Sequence, residues 1–548
     1  MPSVVSTNPS TGEQRSLDVA ETTPVEVAEA TSRAASAASE FAARPLSWRA
    51  GMLRGMADAL DADTETIVAL ADEETALGIP RLRGELRRTT FQLRFFADVV
   101  EDGLFLDVSI DHAKDSPMGL LPDLRRMRVP LGPVGVFGSS NFPLAFSVPG
   151  GDTASALAAG CTVVIKAHPA HPATSMAAFA ALTRAADASG APGGTLGLLH
   201  GFEAGIALVD AAEIAAVGFT GSVSAGRILL KQANSRPTPI PFYGELGAAN
   251  PLVVTPAAAA ERPAEIAVGA AQSMTLGAGQ FCTKPGLLFV PTGVDGDSLV
   301  DALVEAVSAL GSFTMLTSGI ADHFRTTVSA IEAVRGVRPL VRGSTAGPGR
   351  VTAALYEVRA NRFGQSGVTP LREECFGPLA LVIRYGSADE LASALEAAEP
   401  ALTLSVFVAA NDPDAAWLLR TSMHRAGRVT MNSYPTGVSV SWSMQHGGPW
   451  PSTTAPGATS VGARAIERWL RPVALQSVPN AFLPDELKDA NPLGIPRRID
   501  GVLQTSQGKR EEHERVKPRA GMVVSHDLPS RSDVLSPDNQ CSGIRPTL

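Results

Sequence analysis

The amino-acid sequence predicts an α/β fold built on parallel sheets, and three observations carry that prediction. Short β-branched runs such as CTVVIK, AAVGF and LLFV end in Gly, Pro or a polar residue. Ala- and Leu-rich segments of helical period lie between them. Strands that alternate with helices of about ten or more residues pair in parallel, because a parallel neighbour needs a crossover connection. The alternation occurs twice, first from near Arg125 and again from Asn250 through LLFV, LALVIR and LSVFVA, so two α/β domains are expected.

Composition sets the frame. A chain of 548 residues, 45% hydrophobic and 18% charged, is long enough for several domains and buries a large core without staples. Four cysteines exclude a disulfide scaffold and point to a reducing compartment. A formal net charge of -9 argues against nucleic acid or an anionic membrane surface as the main partner. The start, MPSVVSTNPSTGEQRSLDVAE, has no basic segment followed by an apolar run, and no spanning stretch of about 18 apolar residues occurs. The reading is a cytoplasmic enzyme.

Taken in order, residues 25–112 show the spacing of amphipathic helices, as in AEATSRAASAASEFAAR. VGVF and CTVVIK read as strands with GGDTASALAAG as the helix between them. A helix over 176–189, a strand over 197–200, and a strand over 214–219 leading into TGSVSAGRILLKQA follow. From about 505 to the end the chain is polar, Pro-containing and without apolar period, which predicts disorder. Cys541 lies there, with no role assigned.

In doubly wound sheets, ligands bind beyond the carboxyl ends of the strands, so chemistry should collect just after VVIK, AAVGF and PFYGE. Three segments stand out. In GAGQFCTKPG, Gly277 and Gly279 allow a sharp turn beside Cys282, a candidate nucleophile if its thiolate is stabilised. A lone cysteine is more often a small buried hydrophobe. In PFYGELGAANP, Glu245 sits at a strand end as a candidate general base, or simply as an exposed turn residue. In VGVFGSSNFPLAF, Asn141 is a candidate oxyanion donor, or a turn cap.

Together with KAHPAHPATS, GFTGS, EECFGP and GRVTMNSYPTGV, these segments make the chain resemble the aldehyde dehydrogenase superfamily from NPSTGEQ to about Gly501. It looks most like the branch of NADP-preferring α-ketoglutarate-semialdehyde (2,5-dioxovalerate) and long-chain fatty-aldehyde dehydrogenases, whose ending NAFLPDELKDANPLGIPRRIDG resembles. The resemblance implies two Rossmann-like parallel-sheet domains and a β-arm used for oligomerisation. A cofactor-binding domain would cover 1–110 and 131–244, a catalytic domain 245–435, and the arm with the C-terminal region 111–130 and 436–503. A disordered tail would cover 504–548. A homodimer or homotetramer is implied, with SWSMQHGGPWP and WLRPVALQSVP in the oligomerisation region.

The resemblance also assigns roles. Cys282 attacks the aldehyde carbon, Asn141 and the Cys282 backbone N–H stabilise the oxyanion, and Glu245 activates water to hydrolyse the thioester. The presence of Glu245 separates hydrolysis from CoA-acylation. No GxGxxG follows a strand. The cofactor would instead lie against Thr220, Gly221, Ser222 and Leu246, with Lys166 at the adenosine ribose and Glu374 and Phe376 at the nicotinamide ribose. Pro169 stands three positions after Lys166, where NAD-specific members carry Glu, and that favours NADP with NAD still admitted. His168 and His171 offer further donors, and each has an equally ordinary structural reading. No metal is expected.

Phe142, Phe281 and Trp442 are candidates for an aldehyde tunnel. A semialdehyde with a distal carboxylate needs a cationic or hydroxyl-rich anchor. Related chains carry an Arg within TTxxRxTSVG, where this one reads TTAPGATSVG with Gly457 or Ala458 in its place. The leading expectation is oxidation of α-ketoglutarate semialdehyde to 2-oxoglutarate, and the enzyme rival is a medium- or long-chain aliphatic aldehyde. An inactive binding protein on the same fold is disfavoured by the intact Asn141, Glu245 and Cys282. A cysteine hydrolase is disfavoured because no His lies in the segments around Cys282 or Glu245.

Overall fold

The helical period of the N-terminal region becomes four helices, Pro24–Ala42, Leu46–Ala62, Thr64–Thr75 and Ile79–Asp102, in a computed structural model that describes residues 2–505. The first begins at a capping box: Thr23 accepts from the Glu26 N–H, and the Glu26 carboxylate accepts from the Thr23 N–H. Its buried stripe, Val27, Ala30, Ala34, Ala37 and Phe41, follows helical spacing. Before it, Ser3–Thr7 pairs antiparallel with Gln14–Ala20. Sequence reading took this region as polar and turn-rich only; the hairpin's strands escape it because their outward residues are polar.

The first alternation forms a five-stranded parallel sheet in the order Phe242–Leu246, Ala216–Gly221, Val134–Phe137, Val163–Lys166, Leu196–Leu199. The second forms a seven-stranded sheet in the order Arg338–Val341, Ala354–Arg359, Leu379–Tyr385, Pro285–Pro291, Asn250–Val254, Ala401–Phe407, Ala426–Met431. Only the edge strand Arg338–Val341 runs antiparallel to its neighbour. Central strands such as Leu379–Tyr385 and Ala401–Phe407 are buried at every position, which is why they read as near-continuous apolar runs, interrupted by Arg384 in the first and by Thr403 and Ser405 in the second. The expected boundary at 244/245 falls inside the strand Phe242–Leu246, so Glu245 belongs to the first sheet and the second begins only at Asn250.

The two segments expected to form the arm do pair: Leu124–Pro130 lies antiparallel to Leu470–Gln476, followed by Ser109–Asp111, Arg497–Ile499 and Val502–Gln504. Trp469, fully buried, docks this region onto the helix Gly151–Ala159 by donating its indole N–H to Ser155 Oγ at 2.8 Å. Gln504, expected as the first residue of a tail, ends the last strand. The remainder of that expected tail from 506, Cys541 included, lies outside the described residues. Among the described residues, no helix is long and apolar enough to cross a membrane.

Candidate active site

Cys282 sits on the loop between the helix Pro263–Thr275 and the strand Pro285–Pro291. Three consecutive left-handed residues shape the approach, Gly277 (φ 57°), Ala278 (φ 60°) and Gly279 (φ 67°). A Cβ at Gly279 would stand 2.3 Å from the Gly377 carbonyl, so no larger residue fits. Asn250 clasps the loop: its amide donates to the carbonyls of Cys282 (2.8 Å), Lys284 (3.0 Å) and Ala248 (3.1 Å), and its oxygen accepts from the Thr403 N–H.

Asn141 is buried beside it. Its amide donates to the Gln280 carbonyl at 2.8 Å, which fixes the side chain and leaves its second N–H for an oxyanion. Arg81 holds the Asn141 carbonyl at 2.7 Å. Glu245, 5% exposed, reaches the same point from the last strand of the first sheet. Asn141, Glu245 and Cys282 thus converge from three elements and line one cleft of about 1640 Å³.

Sequence reasoning missed a fourth member. His446, fully buried, places Nε2 3.6 Å from Cys282 Sγ and 2.8 Å from Glu245 Oε1. The contact with Glu245 lacks hydrogen-bond geometry and is a close electrostatic pairing, whereas the contact with sulfur is a hydrogen bond. Its Nδ1 is buried without a partner. A bare acceptor there costs less than a stranded donor, so we assign the proton to Nε2, which donates to Sγ. Glu245 Oε2 accepts a short hydrogen bond from Ser460 Oγ.

The segment SWSMQHGGPWP, expected in the oligomerisation region, is therefore part of this site. Thr459 Oγ1 accepts from the His446 N–H at 2.8 Å, and Leu246 N–H donates to Ser452 at 2.9 Å, clipping the segment onto the strand that carries Glu245. His446 is 164 positions from Cys282, beyond the reach of local inspection. The legible signal was the glycine pair after it, since a Cβ at Gly447 would stand 2.8 Å from the Ala458 carbonyl.

Electrostatics follow from burial. Desolvation pushes the Glu245 carboxyl up, but His446, Ser460 and Cys282 outweigh it and hold it below the usual carboxylate range. Burial, reinforced by the negative charges of Glu245 and Glu374, pushes the Cys282 thiol well above its ordinary value. The resting pair is thus a carboxylate beside a protonated thiol. Donor atoms of Glu245, Cys282 and His446 all lie within 4.8 Å of one another, a set also able to ligate a metal.

The expected cofactor residues lie along the same cleft. Lys166, His168 and Pro169 are at one part of its lining, and Thr220, Gly221, Ser222 and Leu246 at another. Glu374 and Phe376 complete the set. Burial lowers Lys166 to about 8 and holds His168 well below its ordinary value, so the lysine is the cation available to an anionic ligand. His171 does not line the cleft; it is buried with Nε2 2.7 Å from the Ser139 carbonyl, the structural alternative. Ser222 caps the helix Val223–Ser235, whose N-terminus favours negative charge. Glu374, raised to about 7 by burial, keeps Oε1 buried and unpartnered, an acceptor awaiting a hydroxyl. These residues fit a dinucleotide.

None of the three tunnel candidates is among the residues lining the cleft. Phe142 and Phe281 meet edge to face at 5.1 Å, directly beside Asn141 and Cys282. Trp442 packs instead on Phe95 at 5.3 Å and is half exposed.

The aldehyde dehydrogenase family model matches residues 2–472. An α-ketoglutaric semialdehyde dehydrogenase 2 of Azospirillum brasilense is 45% identical over 469 residues, 85% of this chain and 89% of that one. An α-ketoglutaric semialdehyde dehydrogenase of Acinetobacter baylyi is 39% identical over 440 residues, 79% and 83% of the two chains. The fold is similar to that of a solved putative aldehyde dehydrogenase from Burkholderia cenocepacia, with a TM-score of 0.75 at 23% identity, covering 89% of this chain and 96% of that one.

Proposed function

This chain belongs to the aldehyde dehydrogenase family and is an oxidoreductase acting on aldehydes, and from that premise we propose that it oxidises α-ketoglutarate semialdehyde to 2-oxoglutarate with NADP as its preferred hydride acceptor. The observation that carries the reading is the convergence of Cys282, Glu245 and Asn141 on the cleft lined by Lys166 and Glu374. The two α-ketoglutaric semialdehyde dehydrogenase relatives support the substrate. Pro169 beside Lys166 supports NADP: no carboxylate stands there to repel a 2'-phosphate. NAD remains an admitted second acceptor.

Glu245 takes the thiol proton, and the His446 Nε2–H stabilises the thiolate that forms. Sulfur adds to the aldehyde carbon, and the free Asn141 N–H with the Cys282 backbone N–H receive the negative oxygen. The bound nicotinamide ring supplies a hydride acceptor. The acyl group stays on Cys282 as a thioester, which Glu245, returned to its ionised form, opens by taking a proton from water. Aldehyde and water become a carboxylic acid, two electrons leave as hydride, the proton first taken by Glu245 leaves to solvent before hydrolysis, and the proton taken from water returns to the Cys282 sulfur.

His446 also bears on the hydrolase alternative, which was set aside for want of a histidine near Cys282. The cysteine–histidine contact exists, but His446 faces a carboxylate that is itself the base, and the cofactor-type cleft would have no purpose in a hydrolase. Cytoplasmic placement and assembly as a homodimer or homotetramer, with no membrane or nucleic acid partner, belong to the same proposal, as does the division into a cofactor-binding domain, a catalytic domain and an arm.

The test is Glu245→Gln. It should form acyl-enzyme slowly, because the thiol has lost its proton acceptor, up to one equivalent of NADPH per active site, and then stop, with the acyl-enzyme visible by intact mass. Steady turnover at the wild-type rate would overturn the assignment.

A further inference from the structure

We infer that Arg88, on the helix Ile79–Asp102, anchors the distal carboxylate of the aldehyde substrate, an inference that rests on the proposed function. Its guanidinium lies 5.0 Å over the Phe146 ring, and Phe146 lies 6.3 Å from the His446 ring. One aromatic ring therefore separates this cation from the imidazole that touches the nucleophile. Nε and Nη2 both donate to the Val438 carbonyl, at 3.3 and 3.2 Å, while Nη1 is buried with no acceptor.

The charge of Arg88 is not answered locally. The neighbouring acid, Glu85, gives its Oε1 to the backbone N–H groups of Leu144 and Ala145 at 2.8 and 2.9 Å, and its Oε2 is unpartnered. Burial pushes the Glu85 carboxyl up and the Arg88 guanidinium down, and the attraction between them offsets this only in part. A buried cation with a vacant donor is costly unless a ligand completes it.

Arg81 shares the region, but its role differs. It is committed to the Asn141 carbonyl and stands over Phe142 and Phe281 at 5.1 and 5.0 Å, next to the oxyanion donor. Arg88 stands further out, toward Val438. A five-carbon semialdehyde spans about 5 Å between its end carbons, and a charge-assisted hydrogen bond extends that reach to roughly 8 Å, the scale of the step across Phe146. In this reading the cation absent from TTAPGATSVG is supplied by a different element, the helix Ile79–Asp102.

The test compares α-ketoglutarate semialdehyde with pentanal, a neutral aldehyde of equal length, in the full chain with NADP. A second readout needs no turnover: protection of Cys282 from iodoacetamide by 2-oxoglutarate. Arg88→Leu should lower the semialdehyde-to-pentanal ratio of kcat/KM by about 10–100-fold, mainly through KM, and abolish protection. Arg88→Lys should restore part of both. An unchanged ratio with intact protection overturns the inference, as does an equal loss on both aldehydes. Wild-type enzyme that favours pentanal, yet is protected by 2-oxoglutarate through Arg88, refutes the proposed function while keeping the carboxylate site. If Arg88→Leu does not fold, Arg88→Gln carries the same comparison.

Discussion

Replacing His446 by Leu removes a partner from both reacting groups while keeping a buried apolar side chain of similar size. In the wild type the imidazole is 2.8 Å from the Glu245 carboxylate and donates to Cys282 Sγ at 3.6 Å. The hydrogen bond from Nε2–H to the thiolate that forms on Cys282 is of the charge-assisted kind, about 1.5–3 kcal/mol. Its loss leaves the thiolate less stable, and loss of the imidazole beside the carboxylate raises the Glu245 carboxyl. The sign is set by the chemistry. Glu245 must be ionised to accept a proton, so activity is lost as pH falls through its folded pKa, and that pKa lies below the usual carboxylate range. Loss of His446 moves the acid limb of the kcat profile to higher pH, and the thiol, deprived of its donor, moves in the same direction. The assay is kcat against pH for wild type, His446→Leu and His446→Gln, the last keeping an N–H in place. We expect the limb of the Leu variant to lie at higher pH and its kcat to fall about 10–100-fold, with smaller changes in the Gln variant. An acid limb that stays where it was in both variants refutes the role given to His446.

Two further outcomes follow from the same geometry. Asn141→Ala should lower kcat by about 10²–10³-fold, the usual loss for one oxyanion donor, with native thermal stability measured in parallel; a loss confined to KM would contradict the role. Gly247→Ala places a Cβ 1.8 Å from Glu374 Oε2 and must displace that carboxylate. NADPH titration by fluorescence should then show binding weakened about 10-fold or more, the scale of one charge-assisted hydrogen bond, while unchanged binding would remove Glu374 from the cofactor site.

Much of the site was legible because its residues stand in short segments with a strong local signature. Cys282 lies among glycines that a close backbone approach demands, and Glu245 and Lys166 close strands whose apolar runs are unmistakable. What escaped was what depends on distance along the chain. His446 and Ser460 reach Glu245 from a stretch without regular structure, where neither period nor composition marks a residue as central. Arg88 sits on an amphipathic helix and reads there as one more charged surface residue; only packing shows its guanidinium turned over Phe146. Trp442, an aromatic near a motif, packs on Phe95, and like Phe142 and Phe281 it is not among the residues lining the cleft. The boundary at 244/245 falls inside a strand for a related reason: a functional residue suggested a domain start, whereas backbone pairing continues through Leu246.

The base stands on the first sheet, the nucleophile on a loop of the second, and the imidazole between them on a segment that follows both. Reactivity is thereby a property of the finished molecule. In a partly folded chain the thiol and the carboxylate are not in contact, so neither can pass a proton to the other. The last of the three to be reached along the chain brings the group that joins them, so the chemistry waits for the segment that carries His446.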